Sequence, residues 1–152
     1  MIVLMDEPIV ASGPDRRTRR RRRGDRAEAA AAAHLEARGW SVLARQVRIG
    51  RDEIDLVALE PGPPPTIVCV EVRSRSGAAF GRQEDRVDAA KVRRLYRALA
   101  ALRAAAHLPN GRSLPRGEWR VDLLAVDLAP ASRAERAGEV VAIRHLRGII
   151  PR

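Results

Sequence analysis

Two strand-forming runs joined by a turn that neither can cross, DEIDLVALEPGPPPTIVCVEVRSR over residues 52–75, constrain this chain more than any other feature. The turn is Pro61-Gly62-Pro63-Pro64-Pro65. Proline has no N–H to give to a ladder, so both strands must stop there. Alternation along the first strand predicts Glu53, Asp55 and Val57 on one face and Ile54, Leu56 and Ala58 on the other. On the second, Ile67, Cys69, Glu71 and Arg73 share a face, with Val68, Val70 and Val72 behind. Each strand thus has one apolar side, and each carries an acid among apolar neighbours on the other. Asp55 and Glu71 sit mid-strand, where an unpaired carboxylate is costly.

Two carboxylates about 4 Å apart at an effective dielectric of about 20 repel by roughly 4 kcal/mol. A shared proton, a basic partner or a divalent cation must offset that. One reading is a buried acid paired with arginine, since Arg73 lies two residues from Glu71 on the same face. The other is a hard-cation site. Carboxylate oxygens suit Mg²⁺ or Mn²⁺, which need only one or two protein carboxylates beside waters and substrate phosphates.

Asp55, followed sixteen positions later by Glu71-Val72-Arg73, resembles the D…(D/E)-x-K signature of restriction-endonuclease-like nucleases, with arginine in the lysine position. The wider pattern resembles the YraN family, bacterial proteins of that fold similar to Holliday-junction resolvases. It is carried by Ala27-Glu28, Ala30-Ala31 and His34-Leu35, then Gly39-Trp40 and Glu53-Ile54-Asp55-Leu56-Val57-Ala58. Val70-Glu71-Val72-Arg73-Ser74-Arg75, Phe80-Gly81, Val87, Lys91 and Trp119-Arg120-Val121-Asp122 complete it, over roughly residues 24–147. The family usually has glycine where Ala27 and Asp52 stand and lysine where Arg73 stands. The first two departures are expected to affect local turns; the third touches the chemistry.

The resemblance implies a metal-dependent phosphodiesterase. Asp55 and Glu71 would hold Mg²⁺ or Mn²⁺, with Glu28 joining them directly or through water. Arg73 would face the developing negative charge, and Lys91 would reach the site from the second helix. Physics alone reads Glu28 as a first-turn acid favoured by the helix dipole. Glu53 and Asp122 read as solvated or ion-paired strand residues, and His34 as a packing residue.

The chain has 152 residues, enough for one domain with a sizeable core. Its formal charge is +10, with Lys91 the only lysine, so the basic character is arginine. That balance favours an anionic polymer, DNA ahead of RNA, although drift toward alanine and arginine would also raise it. The single Cys69 excludes an internal disulfide and a multi-cysteine zinc site, and reads as a small apolar strand residue. The N-terminal arginines follow a short apolar segment instead of preceding one, which argues against a signal peptide. No apolar run spans a bilayer. The expected place is the cytoplasm, with no membrane partner; the oligomeric state stays open, a dimer being compatible.

Residues 1–23 are expected to be a disordered basic arm, because a like-charged block repels itself. Arg16, Arg17, Arg19, Arg20, Arg21, Arg22 and Arg23 in that arm, with Arg75 on the second central strand, are the candidate phosphate contacts. Residues 24–152 form the folded domain. The pattern predicts a helix over 25–38 capped by Gly39, a strand over 40–49, the two central strands, and a helix over 84–106. Strands over 118–128 and 139–147 follow. Glu84, Asp85 and Asp88 open the second helix, and Arg86, Arg93 and Arg97 are expected to be solvated. The order α-β-β-β-α-β-β predicts an α/β protein with a mixed sheet flanked by helices, as the restriction-endonuclease-like fold requires. A catalytically inactive nucleic-acid-binding module and a protein-binding adaptor of the same fold are the alternatives to a nuclease.

Overall fold

The structure is a computed structural model describing residues 15–76, 88–130 and 136–152. Helix α1 (Arg16–Glu36) is followed by β1 (Ser41–Ile49), β2 (Asp52–Glu60) and β3 (Thr66–Ser76). Helix α2 (Ala89–Ala105), β4 (Glu118–Leu128) and β5 (Val140–Leu146) complete the chain. The strands form one sheet in the order β1-β2-β3-β4-β5. β3 and β4 are parallel and the other pairs antiparallel. A parallel pair needs a crossover, and α2 supplies it. This is the mixed, helix-flanked sheet of the restriction-endonuclease-like architecture.

Each face of the sheet has its own core. On one, Ala27, Ala31, Ala32 and Leu35 of α1 pack with Trp40 on Leu56, Ala58, Val68, Val70, Leu124, Val126 and Leu128. On the other, Leu95, Ala98, Leu99 and Leu102 of α2 cover Val47, Ile54, Val57, Ile67, Cys69 and Val121. Cys69 is fully buried there, and burial pushes its thiol up to about 12. It packs as an apolar residue.

Helix α1 closes as its sequence predicts. Gly39 adopts φ +83°, the Trp40 N–H bonds the Leu35 carbonyl and the Gly39 N–H bonds that of Glu36. Trp40 then seats in the same core as Leu35, the contact that accompanies such a closure. The start of α1 differs from expectation. Arg16–Arg23 are not an unstructured arm but its first two turns. Arginine is a good helix former, and extending a helix already anchored at Ala27 avoids a new nucleation cost. Residues 1–14 lie outside the described part.

Helix α2 begins at Ala89, capped by Asp88, whose side chain accepts from the Ala90 N–H at 3.0 Å. Glu84, Asp85, Arg86, Val87 and the Phe80-Gly81 pair lie outside the described residues. Arg97, expected to be solvated, forms a two-pronged pair with Asp52 at 2.8 and 2.7 Å. This pair ties α2 to the start of β2. The Arg97 hydrogen bonds lower the Asp52 carboxyl below its ordinary value. Asp52 therefore does more than shape a local turn.

The expected alternation on β2 fails at one point. Ile54 and Val57 pack toward α2, while Leu56 packs toward α1, so Ile54 and Leu56 do not share a face. On the neighbouring strand Gln46 takes φ +49°. The ladder pairs Arg45 with Leu56 and Val47 with Ile54, which brackets Gln46 and Asp55. The pleat is interrupted on both strands at the position of the candidate carboxylate, a device that re-aims side chains.

Candidate active site

β2 and β3 are paired from Glu60↔Thr66 to Leu56↔Val70. The next residues are Asp55 and Glu71. Here the Val72 N–H donates to Asp55 Oδ2 at 2.8 Å, so a side chain takes the bond that a continuing ladder would have made. Asp55 lies in a cleft of about 490 Å³ on the α1 side, with Glu28, Gln46, Asp25, Val72, Arg17, Arg20, Arg21 and Gly24. Glu71 follows the alternation of β3 toward α2, where Lys91 Nζ stands 3.3 Å from its Oε2. That contact is an ion pair without hydrogen-bond geometry, and the buried Oε2 receives no directed donor.

Burial raises the Asp55 carboxyl, against the Val72 N–H, the charge of Lys91 and a hydrogen bond shared with Glu71. Burial, then the charge of Asp55, pushes Glu71 up to about 7, against Lys91 and Arg73. Glu28 is raised too, first by burial, with Gln46 opposing and Asp55 adding to the rise. Gln46 Nε2 donates to Glu28 Oε2. Its left-handed backbone accompanies the break in the pleat that brings Gln46 into this cleft. Three carboxyls that each resist ionisation share one neighbourhood.

The structure thus brings Glu28, Asp55, Glu71, Arg73 and Lys91 together. Among the described residues no group of three His, Cys, Asp or Glu side chains is poised to chelate a metal ion. Glu28 accepts a hydrogen bond from Gln46 instead of joining such a group. The donor set that remains is the two carboxylates of Asp55 and Glu71, the latter with a buried Oε2 that accepts no hydrogen bond, and Mg²⁺ or Mn²⁺, which keep most of their waters, need no more than that. Arg73 is half-buried on β3, engaged with its surroundings, and its charge favours ionised Glu71.

Of the candidate phosphate contacts, Arg17, Arg20 and Arg21 line the carboxylate cleft. Arg16, Arg19, Arg22 and Arg23, again with Arg17 and Arg20, line a second cleft of about 910 Å³. Arg75 lines neither; it is half-buried on β3 and makes contacts of its own.

Glu53 pairs with Arg48 at 3.2 Å, an ion-paired strand residue as expected. Asp122 is fully buried and belongs to a separate network. Arg120 grips it at 2.7 and 3.0 Å, His145 Nε2 lies 2.8 Å away, and the Gly148 N–H donates at 2.9 Å. Burial would raise its carboxyl, but the bonds from His145, Arg120 and Gly148 outweigh that and hold it at about 2. The family motif around Trp119-Arg120-Val121-Asp122 is therefore a brace between β4, β5 and the C-terminal turn. His34 packs edge-on to His145, their ring centres 6.2 Å apart.

Sequence reasoning missed Gln46. An amide among the apolar and basic residues of 42–49 was the available signal, but only the left-handed backbone shows where it is used. No helix among the described residues is long and apolar enough to cross a membrane.

Comparison with known proteins agrees with the resemblance seen in the motifs. The model of the uncharacterised protein family UPF0102 matches residues 27–126, which include Glu28, Asp55, Glu71, Arg73, Lys91 and Asp122. A UPF0102 protein of Moorella thermoacetica is 40% identical over 125 residues, covering 82% of this chain and 94% of its own length. One from Symbiobacterium thermophilum is 46% identical over 113 residues, covering 74% of this chain and 88% of its own. One from Sorangium cellulosum is 42% identical over 90 residues, 59% of this chain and 60% of its own. A family match over this span, centred on the two strands and the helix that build the cleft, places the chain in UPF0102, the YraN family.

Proposed function

We propose that this protein binds nucleic acid and hydrolyses its phosphodiester bonds with Mg²⁺ or Mn²⁺. The observation that carries the reading is the meeting of Asp55 and Glu71 at the end of the β2–β3 ladder, with Asp55 opening into a cleft rimmed by arginines. A structural ion pair would neutralise its acids. Here Asp55 and Glu71 stay raised despite Lys91, while Arg17, Arg20 and Arg21 stand at the rim, where a phosphate would enter.

The chain's own groups have distinct tasks. The Val72 N–H fixes Asp55 in orientation, and Lys91 keeps Glu71 from holding its proton too firmly. Gln46 orients Glu28 toward water in the cleft. The rim arginines grip the phosphodiester, and Arg73 opposes the charge that grows on the phosphoryl oxygens. A bound Mg²⁺ or Mn²⁺ supplies Lewis-acid polarisation and a more acidic water. Water oxygen forms the new P–O bond, the bond to the leaving oxygen breaks, and the proton ends on that oxygen.

The test is incubation of the full chain with linear, nicked, flapped and four-way-junction DNA, and with RNA, under Mg²⁺, Mn²⁺ or EDTA. Cleavage of at least one DNA form is expected with metal and none with EDTA, and Asp55→Asn should lose it by at least about 100-fold. Metal-independent cleavage, or cleavage surviving Asp55→Asn, would overturn the assignment. Tight binding without cleavage would support the inactive binding module, which the arginine at position 73 favours.

A further inference from the structure

The N-terminal turns of α1 do more than rim the carboxylate cleft. From Arg16 to Arg26 no residue is buried, so about 16 Å of helix stands clear of the core. Its guanidiniums are arranged, not scattered. At about 100° per residue, Arg16, Arg19, Arg23 and Arg26 fall on one flank, while Arg21 falls nearly opposite, in line with Glu28. The first flank faces the second cleft, bounded by Ser76 and Leu128 at the ends of β3 and β4 and by Gly138. The opposite flank faces the carboxylate cleft. Arg17 and Arg20 lie between and line both.

The second cleft is built. Arg23 Nη1 donates to Ser76 Oγ at 3.2 Å and Arg26 Nη1 to the Ala137 carbonyl at 3.1 Å. Gly138, at φ +80°, admits Arg26: a Cβ there would stand 1.8 Å from Arg26 Nη1. Two anchored arginines thus form a floor under a cationic slot, and the first turn of α1 has no acid to neutralise it. Like charges three and four residues apart disfavour a helix, and so do cations at its N-terminus. A polyanion on both flanks removes both penalties.

Resting on the nucleic-acid reading above, we infer that the Arg16–Arg26 turns of α1 enter the major groove of a B-form duplex, one backbone in each cleft. A helix with its side chains is about 10–12 Å across, and the B-DNA major groove is about 12 Å wide. The deep, narrow major groove of A-form RNA does not admit it. The strand on the Arg21 flank runs past Asp55 and is the one presented for chemistry; its complement lies against Arg19, Arg23 and Ser76.

Salt dependence of binding tests this in EDTA, so that chemistry is silent. The full chain is titrated against duplex DNA, single-stranded DNA, duplex RNA and a duplex with one strand of uncharged methylphosphonate. On duplex DNA, Arg21→Gln is expected to reduce the slope of log K against log salt by about 0.9, and Arg19→Gln with Arg23→Gln by about 1.8. On the half-neutral duplex and the single strand only one of the two sets should matter. Duplex RNA should bind at least tenfold more weakly than duplex DNA. Both sets mattering equally on a single strand would mean that one strand threads both clefts, and would overturn the clasp. So would an Arg19/Arg23 pair without effect on duplex DNA, or equal affinity for duplex RNA. Binding that follows the clasp without metal-dependent cleavage would sink the catalytic reading alone, whereas no binding to any of the four would sink both.

Discussion

Asp55 and Glu71 are individually unremarkable side chains whose position makes them expensive. Both are raised by burial; the charge of Asp55 adds to the rise at Glu71, while a hydrogen bond shared with Glu71 opposes it at Asp55, so the metal-free fold carries a desolvation cost that either neutral amide removes. Glu71→Gln, and Asp55→Asn with its Val72 bond retained, should each raise the metal-free Tm. A gain of about 1 kcal/mol corresponds to roughly 4 °C in a domain of this size. The same changes should abolish the rise in Tm that Mg²⁺ gives the wild type, since that rise comes from binding to the native state alone. An equal Mg²⁺ response in all three proteins would remove the cation from this site. Arg73 is the other residue whose identity matters. Lysine is a compact donor whose pKa falls on burial, whereas arginine stays charged and suits a two-pronged grip on phosphate. Arg73→Lys should fold normally and raise metal-dependent cleavage, while Arg73→Ala weakens substrate binding. Lys91→Ala should harm the wild type more than Arg73→Lys if Lys91 compensates for the missing lysine; single-turnover rates of the four proteins decide it.

Among the elements, β4, β5 and the C-terminal turn are held by one carboxylate. Asp122 is the acid on which Arg120, His145 and the Gly148 N–H converge, and Arg120 also bonds Glu60 at 2.7 Å. Asp122→Asn leaves the half-buried Arg120 guanidinium with Glu60 alone as counter-charge and should cost about 2–3 kcal/mol, read as a fall in the urea midpoint. Its depressed carboxyl also sets an acid limit. The folded value of about 2 lies below the ordinary 3.8, so the native state binds this proton less well than the unfolded chain. The resulting stability is complete above about pH 4–5 and is lost as pH falls toward 2, on the order of 2 kcal/mol in all. Acid titration of wild type and Asp122→Asn should differ in that window and run parallel above it. The strands, the proline turn between them and the second helix were legible in the sequence, because period and proline fix them locally. Three features were not. The break at Gln46 and Asp55 is a two-strand property that no single-strand alternation reveals. The Asp52–Arg97 pair joins residues 45 apart, and arginines on an exposed helix face look solvated until a partner strand is placed. The helical start at Arg16 shows that the charge-block rule lost to helix propagation.

For the whole molecule, the arginines of α1 and its packing residues are separable along the helix. Within α1 burial begins at Ala27, so deleting residues 1–23 removes Arg16, Arg17 and Arg19–Arg23 and leaves the described core residues and Glu28, Asp55 and Glu71 in the chain. Nucleic-acid affinity should fall steeply and the salt slope become shallower by up to about 6, while the melting transition and its Mg²⁺ response persist. Unchanged affinity and slope would make these turns bystanders.

The parallel pairing of β3 with β4 has a consequence for the life of the chain before it is folded. Thr66 must wait for Glu118, and Ser76 for Leu128, so during synthesis a strand with an apolar centre stands with an open edge for some fifty residues. An exposed hydrophobic edge of that kind recruits other chains. On β3 the run Val68-Cys69-Val70 is followed at once by Glu71, Arg73 and Arg75. Charges in those positions act as gatekeepers against edge-to-edge growth. The residues proposed to handle phosphate in the finished protein thus guard its central strand while that strand is still alone on the ribosome.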